Sequence, residues 1–119
     1  MAEHNELGKK GEQIASVFLI KKGYQILEKN YRYLRSEVDI IAQKGNTLAV
    51  VEVKTRSTAY FSDPQDAVNS KKIKQLLAAV DFYVLEKDLD VEVRFDIIAI
   101  VHHNNKTKIE HLEDAFLYF

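Results

Sequence analysis

A chain of 119 residues that is 46% apolar can bury one compact core but is too short for two ordinary domains, so residues 1–119 are read as a single domain. The absence of cysteine excludes a disulfide framework, a thiolate zinc site and a cysteine nucleophile. With 17 Lys and Arg against 18 Asp and Glu and a net charge of −1, the chain cannot hold nucleic acid through global positive charge, and any such role must rest on a local patch.

The stretch from Met1 to Lys10 lacks the apolar core of a signal peptide, and no apolar run approaches the length of a bilayer span. The expectation is a soluble, cytoplasmic protein with no membrane partner, and the lack of cysteine fits a reducing compartment. From about residue 5 to 22, Leu7, Ile14, Ala15, Phe18 and Leu19 recur at helical spacing, with Gly23 as the stop. Gly8 and Gly11 lie one turn apart in this helix, where each costs about 1 kcal/mol relative to Ala. Close approach of that turn to another backbone or to a ligand would account for them. Glu12 falls at the edge of the apolar stripe, where spacing alone makes it a solvated residue.

Tyr24 to Arg35 reads as a first strand. Arg32 and Arg35, interleaved with Tyr31 and Tyr33, are the mix a nucleic-acid surface uses, although half-buried packing is the commoner role of strand tyrosines. From Ser36 to Arg56 the pattern is two strands joined at Gly45-Asn46, a hairpin signal. In that register Lys44 pairs with Thr47 and Asp39 faces Glu52. Like charges opposite one another destabilise a sheet, and each carboxylate in an apolar hairpin also carries a desolvation cost. A hard divalent cation would compensate, since Mg²⁺ takes one or two carboxylates together with waters and substrate phosphate. Lys54 lies on the same face, roughly 7 Å beyond Glu52. The competing structural reading pairs Lys54 with Glu37 and treats Asp39 as an edge-strand charge. Ile41, Leu48 and Val50 share the Asp39 and Glu52 face, while Val38, Ile40, Ala49, Val51 and Val53 fill the other. Two apolar faces call for a helix on each, giving a sandwich of helix, sheet and helix.

Beyond Arg56 a loop is expected, then a helix opening at Asp63-Pro64. A short turn over 65–68 and a second cap at Asn69-Ser70 precede Ile73, Leu76, Leu77, Val80 and Val84, which repeat at helical spacing to about Lys87. Lys71, Lys72 and Lys74 occupy the first turn of this helix, where positive charge opposes the helix dipole. A phosphate at the helix N-terminus would relieve that opposition, and a solvated basic turn is the plain alternative. Val91 to Val101 is a further strand, and Asn104-Asn105 turns it into a last short one. Asp96 needs a partner inside that strand, and Arg94 on its face supplies one. His4, His102, His103 and His111 show no metal-ligand spacing and read as surface residues. The apolar run from Ala115 to Phe119 either caps the core or forms an interface.

The order of Glu12 on a helix, then Asp39, then Glu52-Val53-Lys54 on a paired strand resembles the PD-(D/E)xK, restriction endonuclease-like superfamily. More specifically, the chain looks like a member of the small YraN-like family, an uncharacterised group described as endonucleases. The match runs through Gly8 to Glu12, Gly23 to Leu27, Asn30 to Arg32, Glu37 to Ala42, Val51 to Arg56, Ala67-Val68 with the following lysines, and Arg94 to Asp96. Ser36 departs from it, standing where the family usually carries glycine. Among superfamily members, archaeal Holliday-junction resolvases are similar in having a helix glutamate, an aspartate and an E-V-K.

The resemblance implies a three-layer α/β/α sandwich around a central mixed sheet and a structure-specific DNA endonuclease acting on branched DNA. By it, Asp39, Glu52 and the backbone carbonyl of Val53 would ligate Mg²⁺ or Mn²⁺, Lys54 would orient or activate the attacking water, and Glu12 would complete the acidic cluster. Arg32, Arg35, Arg56, Lys71 and Lys72 would contact phosphates, which position DNA without reading its sequence. A homodimer is expected only by analogy with nucleases that cut two strands. The rival readings are a non-catalytic nucleic-acid-binding or adaptor module on the same scaffold, and an α/β domain that works through a protein partner.

Overall fold

The computed structural model describes residues 2–56 and 70–115, with side chains from 8 to 56 and from 71 to 115. Its elements run α1 (Ala2–Lys21), β1 (Gln25–Tyr33), β2 (Ser36–Lys44), β3 (Thr47–Arg56), α2 (Ser70–Lys87), β4 (Glu92–His103) and β5 (Lys106–Leu112). The strands form one sheet in sequential order, antiparallel throughout except for the parallel pair β3 and β4. A parallel neighbour needs a crossover, and α2 lies in that connection.

The α/β class and mixed sheet agree with expectation, as does the hairpin, whose ladder starts at Lys44 opposite Thr47 with Gly45 at φ 58°. One helix covers each face. Ala15 and Leu19 of α1 pack with Ile40, Ala42, Ala49, Val51, Ile98 and Ile100. On the other side Leu76, Ala79, Val80 and Tyr83 of α2 pack with Val38, Ile41, Leu48, Val50 and Ile97. Both helices end in the same way, with one left-handed residue and two closing hydrogen bonds. After α1, Gly23 (φ 98°) donates to Ile20 and Tyr24 to Leu19. After α2, Asp88 (φ 53°) donates to Leu85 and Leu89 to Val84. The opening of a helix at Asp63-Pro64, and the run from Phe116 to Phe119, lie outside the described residues.

Two expectations are corrected. Val38 lies on the α2 face with Ile41 rather than on the face of Ile40 and Ala42. Strict alternation therefore breaks between Val38 and Ile40, and the β2–β3 ladder ends there, with Ile40 opposite Val51 as its last pair. Residues 36–38 of β2 stay paired with β1, whose Tyr33 meets Ser36. Nor is His111 a surface residue. Its side chain is 4% exposed, with Nε2 2.8 Å from Asp96 Oδ2 and Nδ1 2.8 Å from Lys22 Nζ. Spacing can reveal a histidine's metal partners but not its place in a folded ion network.

Asp96 is completely buried and fully engaged. Arg94 grips it with two hydrogen bonds of 2.8 Å and donates onward to the Tyr24 hydroxyl, and the Asp114 amide adds a bond of 3.3 Å. This is the structural partnership expected of Arg94. Burial alone would raise the Asp96 carboxyl, but its hydrogen bonds to His111 and Arg94 outweigh burial and hold it below the ordinary carboxylate value.

Candidate functional site

Where β2 leaves β3, the amide of Val53 has no strand partner on that side, and the Asp39 side chain takes the role. Its Oδ2 accepts from the Val53 N–H at 2.8 Å. A carboxylate has thus replaced a ladder carbonyl, which fixes Asp39 at the mouth of the split and beside Glu52. Their backbones are not a ladder pair, yet the two carboxyls meet much as the hairpin register implies. Glu52 is 7% exposed, and Asp39 is partly buried. Burial, followed by a hydrogen bond and charge repulsion from Glu52, pushes the Asp39 carboxyl up to about 8, against a smaller opposing effect of the Val53 amide. At neutral pH the Asp39 carboxyl therefore favours keeping its proton.

Lys54 follows on the same strand face, half-buried. Burial and then the Lys72 ammonium lower its pKa, opposed by Glu52 and Asp39. Lys72, from the first turn of α2, reaches across to lie 2.7 Å from Glu52 Oε2. The contact is ionic but out of hydrogen-bonding alignment, so that buried oxygen has no hydrogen-bond donor. The sequence offers Lys72 a phosphate or solvent; its hold on Glu52 depends on how α2 crosses the sheet, for which spacing carries no signal.

Asp39, Glu52 and Lys72 open onto a cleft of about 480 Å³ beside Arg35 and Lys71, with Ser36, Glu37, Gln75 and Leu76 completing the wall. Ser36 keeps a negative φ, since the left-handed residue of the preceding turn is Leu34 at 56°. The substitution at the glycine position is therefore free of strain. Glu37 is taken by Arg32, at 2.9 Å on the surface, and so is not the partner of Lys54. Arg56, at the exposed end of β3, bonds the Thr55 carbonyl at 3.0 Å and is close enough to depress Lys54. Tyr31 and Tyr33 pack on Tyr83 and Phe82, the packing role common to strand tyrosines.

Glu12 stands further off. A Cβ on Gly11 would lie 1.9 Å from Thr55 Oγ1, so this glycine lets α1 press onto the end of β3, as its cost in a helix suggested. Gly8 has no such neighbour. The close approach brings Glu12 near enough for its charge to raise the Asp39 carboxyl, as the smallest contribution. Among the described residues no three Asp, Glu or His side chains converge into a metal cage. The Asp39 and Glu52 carboxyls fit Mg²⁺ or Mn²⁺, which need only one or two carboxylates when waters and a phosphate fill the remaining positions. The residues present fit such an ion: a buried Glu52 oxygen with no hydrogen-bond partner lies beside a repelling carboxyl, with an ammonium drawn in as counter-charge.

Residues 11–100 match the model of the uncharacterised protein family UPF0102. A UPF0102 protein of Christiangramia forsetii is 64% identical over the full length of both chains, and one of Flavobacterium psychrophilum is 56% identical, again over both full lengths. A relative from Phocaeicola vulgatus is 47% identical over 98% of this chain and 96% of its own. No helix among the described residues is long and apolar enough to cross a membrane.

Proposed function

The chain belongs to the uncharacterised protein family UPF0102, and from its site we propose a metal-dependent endonuclease that hydrolyses phosphodiester bonds of DNA, with preference for branched structures. The observation that carries this reading is the meeting of Asp39 and Glu52 where two strands part, in a cleft rimmed by cations. A purely structural pair would be expected to carry its own compensation, as Asp96 does.

Asp39, Glu52 and the Val53 carbonyl would hold Mg²⁺ or Mn²⁺. When bound, such an ion supplies a Lewis acid for the scissile phosphate. Lys54, on the same strand face, is placed to donate a hydrogen bond to a non-bridging oxygen or to the attacking water, and to offset the charge that builds as a fifth oxygen approaches phosphorus. Lys72 balances Glu52 in this structure and turns to a strand phosphate once that carboxylate is balanced otherwise. Lys71 and Arg35 on the cleft wall, with Arg56 at the strand end and Arg32 behind Glu37, seat the flanking backbone. Glu12 adds negative potential that favours a cation beside Asp39.

The test is a panel of duplex, nicked, flap and four-way-junction DNAs incubated with purified protein and Mg²⁺ or Mn²⁺, beside Lys54→Ala. Cleavage of the branched members, lost in the variant, is expected. A panel left intact at high protein concentration rejects the proposal.

A further inference from the structure

The β1–β2 turn carries a feature that neither packing nor hydrolysis explains. Leu34 stands 87% exposed in a left-handed conformation, φ 56°, where glycine or asparagine would be unstrained. An apolar side chain is thus held in water at a position where the backbone disfavours it. Beside it opens an apolar recess of about 430 Å³ lined by Tyr33, Leu34, Arg35, Ser36, Gln75 and Ala78. Tyr33 is fixed there by stacking on Phe82, with ring centroids 4.6 Å apart.

Arg35, Ser36 and Gln75 also line the cleft of Asp39 and Glu52, so recess and cleft are adjoining parts of one surface. A third hollow, lined by Lys71, Lys74, Gln75 and Ala78, adjoins both. The recess is therefore largely apolar, with Arg35 on its own wall and Lys71 and Lys74 on the adjoining one. A nucleotide has the matching arrangement, a flat apolar face carried on a phosphate chain. A second copy of this chain fits less well, because packing the patch on itself about a two-fold axis would set those cations against their own copies.

We infer that Leu34 and this recess receive an unpaired nucleobase of the strand whose backbone lies in the cleft. The inference rests on the nuclease reading and narrows it: the branch is recognised through a base freed from its stack, with Leu34 as the wedge. Gln75, at the boundary between the two hollows, offers a donor and an acceptor to the base edge.

The experiment measures binding, separately from cleavage. Two fluorescent duplexes, identical except that one carries a looped-out 2-aminopurine, are titrated in Mg²⁺ with the Lys54→Ala protein and with Lys54→Ala plus Leu34→Ser. The exposed position of Leu34 keeps the second change from disturbing the core, and affinity for the paired duplex serves as its folding control. The looped-out duplex is expected to bind about tenfold tighter than the paired one, with a change in 2-aminopurine emission, and both effects should fall away in the Leu34→Ser protein. Equal affinity for the two duplexes, a preference indifferent to Leu34→Ser, or a dimer that Leu34→Ser dissociates would overturn the inference. Preference for the unpaired base in a wild-type protein that cuts nothing on the panel would reject the nuclease while leaving the recess as assigned. Cleavage without that preference would do the reverse.

Discussion

Asp96 and Asp39 are both drawn out of water, and the protein treats them oppositely. Asp96 is sealed among two Arg94 hydrogen bonds, His111 and a backbone amide, and its carboxyl is held below the ordinary value. Asp39 meets another carboxyl, has one amide for support, and is pushed up to about 8. The first cluster is closed and balanced; the second opens to a cleft, where Lys72 meets Glu52 while Asp39 faces a second carboxyl. Burial of charge alone therefore does not mark a site. Incomplete compensation facing solvent does.

The sharpest way to break this contrast is to neutralise each aspartate in turn. Asp39→Asn should abolish cleavage, by about 10³-fold on the scale of losing an electrostatic catalytic group, while the metal-free protein keeps or gains stability. Asp96→Asn should do the opposite, lowering unfolding free energy by about 3–5 kcal/mol because Arg94 and His111 lose their charged partner. Cleavage assays and denaturant titrations on both variants check the pair. If Asp39→Asn proves the more destabilising, the two regions have been misread.

Opposite pKa shifts imply opposite pH slopes. The Asp39 contribution to stability is complete below the ordinary carboxylate value of 3.8 and is lost as pH rises toward its folded value of about 8. That of Asp96 is present above 3.8 and is lost as pH falls through its lower folded value. Without divalent ions, the urea midpoint should therefore decline as pH rises from 3.8 to about 8 in wild type and stay flatter over that range in Asp39→Asn, while the acid limb flattens in Asp96→Asn. Added Mg²⁺ should lift the upper end of that decline in wild type only.

A smaller effect is expected at the support of the site. Gly11→Ala forces α1 away from Thr55 and should cost about 1–3 kcal/mol by overpacking. Thr55→Ala in the same chain should recover part of that loss, read in the same denaturant titration. The smallest change is at Lys72, whose ammonium competes for Glu52. Lys72→Gln should tighten Mn²⁺ binding by about threefold, the scale of a partly exposed ion pair.

Much of this was legible in the chain. Gly45-Asn46 set the hairpin register, and that register brought Asp39 to Glu52 because both strands alternate faithfully from Ile40 and Val51 back to the turn. The cost of glycine in a helix foretold a close approach at Gly11. The break at Val38 was not legible, because it depends on a side chain taking over a ladder bond, and periodicity assumes that the backbone makes its own. Lys72 on Glu52 and His111 on Asp96 were hidden for a related reason. Each joins residues brought together only by the crossover of α2 or the return of β5. Within the first helix, spacing placed Glu12 as solvated, and only the seating of α1 on Thr55 brings its charge to bear on Asp39.

The central claim, that Asp39 and Glu52 form an incomplete cation site, is tested most directly by calorimetric titration of Mn²⁺ into the purified protein and its Asp39→Ala variant, with no DNA present. One bound ion per chain in wild type, lost in the variant, is the predicted result. Equal binding by both proteins, or none by wild type at millimolar Mn²⁺, would contradict it.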